Sequence, residues 1–183
     1  MRRVEANVRE ITTRLQALGY RSASPQPHQP PEPGARKQVA RLEKTVGGIP
    51  LALRAFYEIV GAVDWTGEHP SLAPRGDSLA PDPLFVFPVE DALALCEEGF
   101  GDGSAIVIAP DDLHKANTSG GEPYEIEVPD LGADGKFLNE RRELYFVDYL
   151  RLVFRFGGFP GYDGIDRSLP PEPAGLSAGL IPF

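Results

Sequence analysis

The chain is poor in the residues on which most enzyme chemistry depends. Its 183 residues include one cysteine, one methionine, one tryptophan and three histidines. A single cysteine excludes an internal disulfide, and a chain of this length needs none, because such a domain buries roughly 70% of its unfolded surface. Cys96 ends the apolar run from Ala92 and is followed by Glu97 and Glu98. A reactive thiolate needs cationic neighbours, so a buried, inert thiol is expected. No stretch approaches the ~20 consecutive apolar residues of a membrane-spanning helix. The first residues lack the apolar core of a signal peptide and carry Arg2, Arg3, Arg9 and Arg14 instead. A cytoplasmic protein without membrane association is the expectation.

Motifs for demanding chemistry are missing too. There is no phosphate loop with its lysine, no GxSxG elbow, no HExxH and no paired CxxC. The glycine-rich stretch 99–103 carries Asp102 beside Glu98, and carboxylates repel phosphate. No cofactor, no metal and no catalytic residue is expected.

Glycine, proline and acid are plentiful. Twenty Gly and nineteen Pro imply many loops. The net charge is −9 and is unevenly spread. Residues 1–45 hold nine Lys/Arg and four Asp/Glu, a net +5; residues 46–183 hold nine and twenty-three, a net −14. A body this acidic repels nucleic acid. It suits a basic protein partner or serves solubility alone.

Hydrophobic spacing outlines the elements. Val4, Val8, Ile11, Leu15 and Leu18 recur at helical steps, and Gly19 fits a helix end. Five prolines over 22–34 favour extended chain, in which His28 is expected to face solvent. A second helix over 35–46 carries Val39, Leu42 and Val46; a third opens at Pro50 and carries Leu53, Phe56, Tyr57 and Val60. Short strands are expected at 63–65, 84–87 and 105–108, with a half-exposed strand where Tyr124, Ile126 and Val128 alternate with glutamates. Helices fit 89–98 and 144–156, the latter apolar nearly all round and therefore central. The pattern predicts an α+β fold: N-terminal helices, a twisted, mostly antiparallel sheet, and a closing C-terminal helix packed on it. One domain is expected over 1–165, with a Pro-rich loop at 21–35 and a loosely attached Pro/Gly-rich tail over 166–183.

Two loops concentrate polar chemistry. One holds Asp64, Trp65, Glu68 and His69; the other holds Asp111, Asp112, His114, Lys115 and Asn117, after a buried strand where functional loops are common. Three uses are open for them. Exposed Asp, His and Lys side chains suit a protein contact, with Trp65 as an anchor. Asp111 and Asn117 also suit turn caps, with His114 bonded to backbone and Trp65 packed inside. His69 and His114 with nearby Asp are also the residues a metal-dependent hydrolase would use, although their spacing matches no ligand pattern.

The segment Leu42-Glu43…Gly47-Gly48-Ile49-Pro50…Leu53-Arg54-Ala55-Phe56-Tyr57…Gly61 resembles the opening signature of the SUKH superfamily, the Smi/Knr-type or cell-wall-assembly-regulator-like domains. Ile49 stands where that family has Leu, and Ala62 where it has a second Gly. The strand at 84–87 and the aromatic helix at 145–156 also fit, so the resemblance covers approximately residues 36–160. It implies an α+β fold with no shared catalytic residues. It further implies a protein-binding role: many bacterial members are immunity proteins that neutralise toxins, and others are regulatory scaffolds. The loop at 66–81 and the tail have no counterpart in it.

Overall fold

The computed structural model describes residues 1–72, 81–100, 103–163 and 171–183. The first helix, α1 (Arg2–Leu18), buries Val4, Val8, Ile11 and Leu15 along one stripe. It stops at Gly19, whose φ of 82° is left-handed, a conformation that costs other L-residues roughly 1–2 kcal/mol. The proline-rich stretch then runs extended through two short strands, β1 (Arg21–Ser22) and β2 (His28–Gln29). His28 is not simply solvated: it is half-buried and its Nε2 lies 2.9 Å from the Val60 carbonyl. The segment is thus tied to the body of the fold at Val60.

The helix α2 (Ala35–Val46) buries Val39 and Leu42 and ends at Gly47, again at positive φ. Gly48 follows at φ 129°, and a Cβ there would come within 2.5 Å of Leu131 Cδ2. The two glycines therefore serve a close approach between this turn and the loop after residue 129. Pro50 caps α3 (Leu51–Ile59), which buries Leu53, Phe56 and Tyr57.

Every strand pairing among the described residues is antiparallel, as expected, but the strands form three small sheets, not one. β1 pairs with β4 (Gly67–Glu68). β3 (Ala62–Asp64) lies between β2 and β5 (Phe85–Val86). β6 (Ala105–Ala109), β7 (Tyr124–Glu127) and β8 (Phe137–Leu138) form the third, with Ile106 opposite Ile126 and Ile126 opposite Phe137. A backbone hydrogen bond of 2.8 Å from Phe87 N–H to the Ile108 carbonyl ties the second sheet to the third. Between them, α4 (Val89–Glu97) packs on α2 and β6. Cys96 near its end is half-buried; burial first, then Glu97, raises its thiol pKa, so it stays protonated.

The closing helix α6 (Phe146–Arg155) buries Phe146, Tyr149, Leu150, Val153 and Phe154. Phe146 stacks edge-on against Phe56 at 5.4 Å, and Tyr149 lies 4.5 Å from Phe137, so helices and third sheet share one aromatic core. Such ring pairs add roughly 0.5–1.5 kcal/mol beyond their buried area. The face is narrower than the sequence suggests, because Tyr145 beside it is exposed.

The described part of the tail is docked. Residues 164–170 lie outside the described residues; beyond them runs α7 (Pro171–Ser177), whose Leu176 is buried and which packs on α1. Arg14 donates to the carbonyls of Gly175, Leu176 and Ala178 at the end of α7. Asn7, itself buried, donates to the Ile181 carbonyl at 2.9 Å and accepts from its N–H at 2.8 Å. A proline-rich composition hid this docking because proline is tolerated in a first helical turn.

Candidate functional site

The two loops singled out by sequence meet at one cleft of about 290 Å³. Glu68 and His69 line it from one side, Lys115 and Ala116 from the other, with Tyr20 and Phe159 contributing aromatic wall. The first loop is placed by β3, β4 and the turn after them. Asp64 accepts from the Thr66 N–H at 2.9 Å and from its hydroxyl, which bends the chain towards β4. The Ser71 N–H donates to His69 Nδ1 at 3.2 Å, fixing that ring at the start of a short 3-10 turn, Pro70–Leu72. Residues 73–80, the rest of the loop at 66–81, lie outside the described residues.

Trp65 is not at the surface. It is fully buried, its indole N–H donates to Thr12 Oγ1 at 3.0 Å, and its carbonyl accepts from the Tyr20 hydroxyl at 2.9 Å. The lone tryptophan locks α1 to the second sheet, and it does not form an exposed anchor.

The second loop begins with Asp111, the N-cap of the one-turn helix α5 (Asp112–Lys115). Its Oδ1 accepts from the Leu113 and His114 N–H groups at 2.8 and 3.1 Å, and its Oδ2 meets His114 Nδ1. Burial alone pushes this carboxyl up, but the His114 side chain and the two backbone donors outweigh it and hold it below the usual range. Asp111 is therefore a buried cap. His114 does not hydrogen-bond backbone with its ring; it grips that cap and leaves its other edge exposed. Asp112 pairs with Arg141, and Asn117 ends the turn at φ 57°, a conformation asparagine adopts readily.

Lys115 is the second departure from expectation. Its side chain is wholly buried, with Nζ 2.7 Å from Asp82 Oδ1 and 4.4 Å above the Tyr124 ring. The Tyr124 hydroxyl donates to Asp82 Oδ2 at 3.2 Å. Burial first, then Asp82, keeps the Tyr124 phenol protonated far above its ordinary pKa. Asp82, in the tripeptide Pro81-Asp82-Pro83, escaped the sequence reading. An acid held between two prolines is the one local signal the sequence offered; in the fold its φ is 51°. Beside this triad, Arg142 joins Glu140 at 2.9 Å and Asp163 at 2.7 Å, bracing the loop after β8.

No family model, curated protein or solved structure matches the chain. The site is thus read from its own geometry. Of the nine residues expected to contact a partner, Trp65, Asp111 and Lys115 are buried and hold the loops in place. Glu68, His114 and Asn117 are exposed, and Asp64, His69 and Asp112 half-exposed. Among the described residues, no group of three or more His, Cys, Asp or Glu is placed to hold a metal ion. His69 and His114 each use Nδ1 in a local hydrogen bond. The arrangement offers a shaped, hydrogen-bonding cleft whose one acidic lining residue among those described, Glu68, pairs with Arg21 at 3.0 Å.

An exposed apolar pair lies beside the turn at Gly47-Gly48, where Leu51 is 54% exposed and Leu131 78%. The loop carrying Leu131 is held against α3 by bonds from the Leu51 and Ala52 N–H groups to the Gly132 and Ala133 carbonyls, both 3.0 Å.

Proposed function

We propose that this protein is a non-catalytic binding protein of the immunity type, which neutralises a toxin by contacting a basic surface of it. The observation that carries this reading is the convergence of two polar loops from different parts of the chain on one cleft, in a protein of net charge −9. The buried residues of those loops are tied into the core, so the exposed ones are presented with little freedom to lose on binding. The resemblance of residues 42–61 to the SUKH signature supports it. A cytoplasmic location goes with this reading.

The partner recovered from the native host should lose its toxic activity when mixed with the protein at equal concentration. Exposed charges are screened beyond roughly 8 Å at physiological ionic strength. The on-rate should therefore fall at least about ten-fold between low and high salt, with the off-rate changing less. Glu68→Gln and Asp112→Asn should each lower the on-rate and flatten that dependence. An on-rate indifferent to salt would remove the electrostatic part of the proposal. A bound partner that stays fully active would remove the immunity role.

A further inference from the structure

A separate cavity of about 210 Å³ lies where the proline-rich segment meets α2, α3 and the start of α4. Gln26, Gln29, Glu32, Gln38, Tyr57 and Glu90 supply its polar lining. Tyr57 is 1% exposed, yet its hydroxyl has no hydrogen-bond partner within the protein. The buried Oε1 of Gln38 has none either. Buried polar atoms are overwhelmingly hydrogen-bonded, and an exception calls for an explanation such as a bound group. Two exceptions on one cavity point to the same explanation.

The chemistry of the lining selects the sign of that group. Gln38 Oε1 only accepts, and the carboxylates of Glu32 and Glu90 are exposed at the rim. The α2 cations Arg36 and Arg41 pair with Glu58 and Glu97 instead. Lys37 borders the shallow groove that adjoins the cavity past Gln38 and Glu90. Burial first, then the electrostatic influence of Cys96, Glu90 and Asp91, holds the Tyr57 phenol far above its ordinary pKa. Its hydroxyl therefore stays protonated.

We propose that this cavity binds a cationic hydrogen-bond donor, an alkylguanidinium or alkylammonium group, with Tyr57 and Gln38 at its floor and Glu32 and Glu90 at its mouth. Its volume equals that of about seven liquid waters, room for a charged head with a short alkyl stem. Such a group is carried by free diamines and guanidines and by the Lys and Arg side chains of proteins. The site holds whether or not the chain is an immunity protein.

Amide chemical-shift titration of the full chain tests this with n-butylguanidinium and its neutral isostere n-butylurea. Butylguanidinium should saturate with a Kd on the order of 1 mM, with shifts at residues 26–38, 57–62 and 88–90. Butylurea should bind at least about ten-fold more weakly. Glu90→Gln should weaken butylguanidinium about two- to five-fold, as expected for a solvent-exposed charge. Tyr57→Phe separates the site from a merely structural hydroxyl. It should weaken the probe and yet raise the melting temperature of the free protein, by about 4 °C, because it removes an unpaired buried polar atom. Shifts that grow linearly without saturating, equal binding of butylurea, or a lower melting temperature for Tyr57→Phe would each overturn the proposal. Agmatine and a capped Gly-Arg-Gly peptide then distinguish the sources. Competition by both indicates a partner's side chain, and competition by agmatine alone indicates a free small molecule; either supports the site.

Discussion

Lys115 shows how a residue chosen for its surface chemistry can serve the interior. Its ammonium is held by the Asp82 carboxylate and the Tyr124 ring, with no side-chain exposure. A buried ion pair adds little net stability when whole, because desolvation offsets attraction, but breaking it leaves a bare charge. Lys115→Ala should therefore cost about 3–5 kcal/mol, read as a shift in the urea midpoint. Adding Asp82→Asn to that variant should recover part of the loss, since the stranded carboxylate is then gone. Equal, additive losses would show that the two side chains act independently. Asp111 and Trp65 follow the same logic with different chemistry. One spends its carboxylate on capping α5, the other its indole on joining α1 to the second sheet. What remains for a partner is the set of side chains they support: Asp64, Glu68, His69, Asp112, His114 and Asn117.

At the scale of elements, the least expected one is the C-terminal segment. Asn7 makes two hydrogen bonds to Ile181 from a buried position on α1, and Arg14 gathers the carbonyls at the end of α7. Asn7→Ala should cost about 1–3 kcal/mol and open residues 178–183 to proteolysis before the rest of the chain unfolds. An unchanged urea midpoint with unchanged cleavage would mean that the docking contributes nothing. The reason α7 was hidden differs from the reason α1, α2, α4 and α6 were visible. Those helices carry enough turns for apolar residues to repeat, whereas α7 has a single large apolar side chain, Leu176, among Pro, Ala and Gly. The strands at 84–87 and 105–108 were legible from β-branched and aromatic runs, but two-residue strands such as β1 and β4 carry no period at all. Likewise, the position of the polar loops was readable because they follow strands. Their burial was not, since Lys115 owes it to Asp82, 33 residues earlier.

The whole molecule carries −9 charges, and its titration should reveal how they are arranged. Asp91 and Asp134 have raised pKa values, burial being the main cause in both, with Glu90 adding for Asp91. A raised acid takes up its proton in the folded state before it does so in the unfolded chain. Between its folded pKa and the unfolded value of about 3.9, the folded state binds more protons, so stability rises as pH falls. Relief of the net negative self-repulsion acts in the same direction. Asp111 has the opposite sign: its pKa is lowered, so its contribution is full above about 3.9 and is lost as pH falls through its folded value. Stability should therefore rise as pH falls towards about 3.9, where the raised acids of the folded state take up their protons first, and should be lost below it as Asp111 is protonated. Urea midpoints taken stepwise from pH 7 to pH 3 check this sequence. Asp134→Asn should flatten the rise, because the amide still accepts from the Gly135 and Val147 N–H groups but has no proton to bind. Asp111→Asn should instead blunt the collapse at low pH, since that carboxylate's favourable ionisation is then absent throughout. A midpoint that falls without any rise as pH approaches about 3.9 from neutral would show that the buried carboxyls do not govern the acid limb, and the assignment of Asp134 as a raised acid would fail.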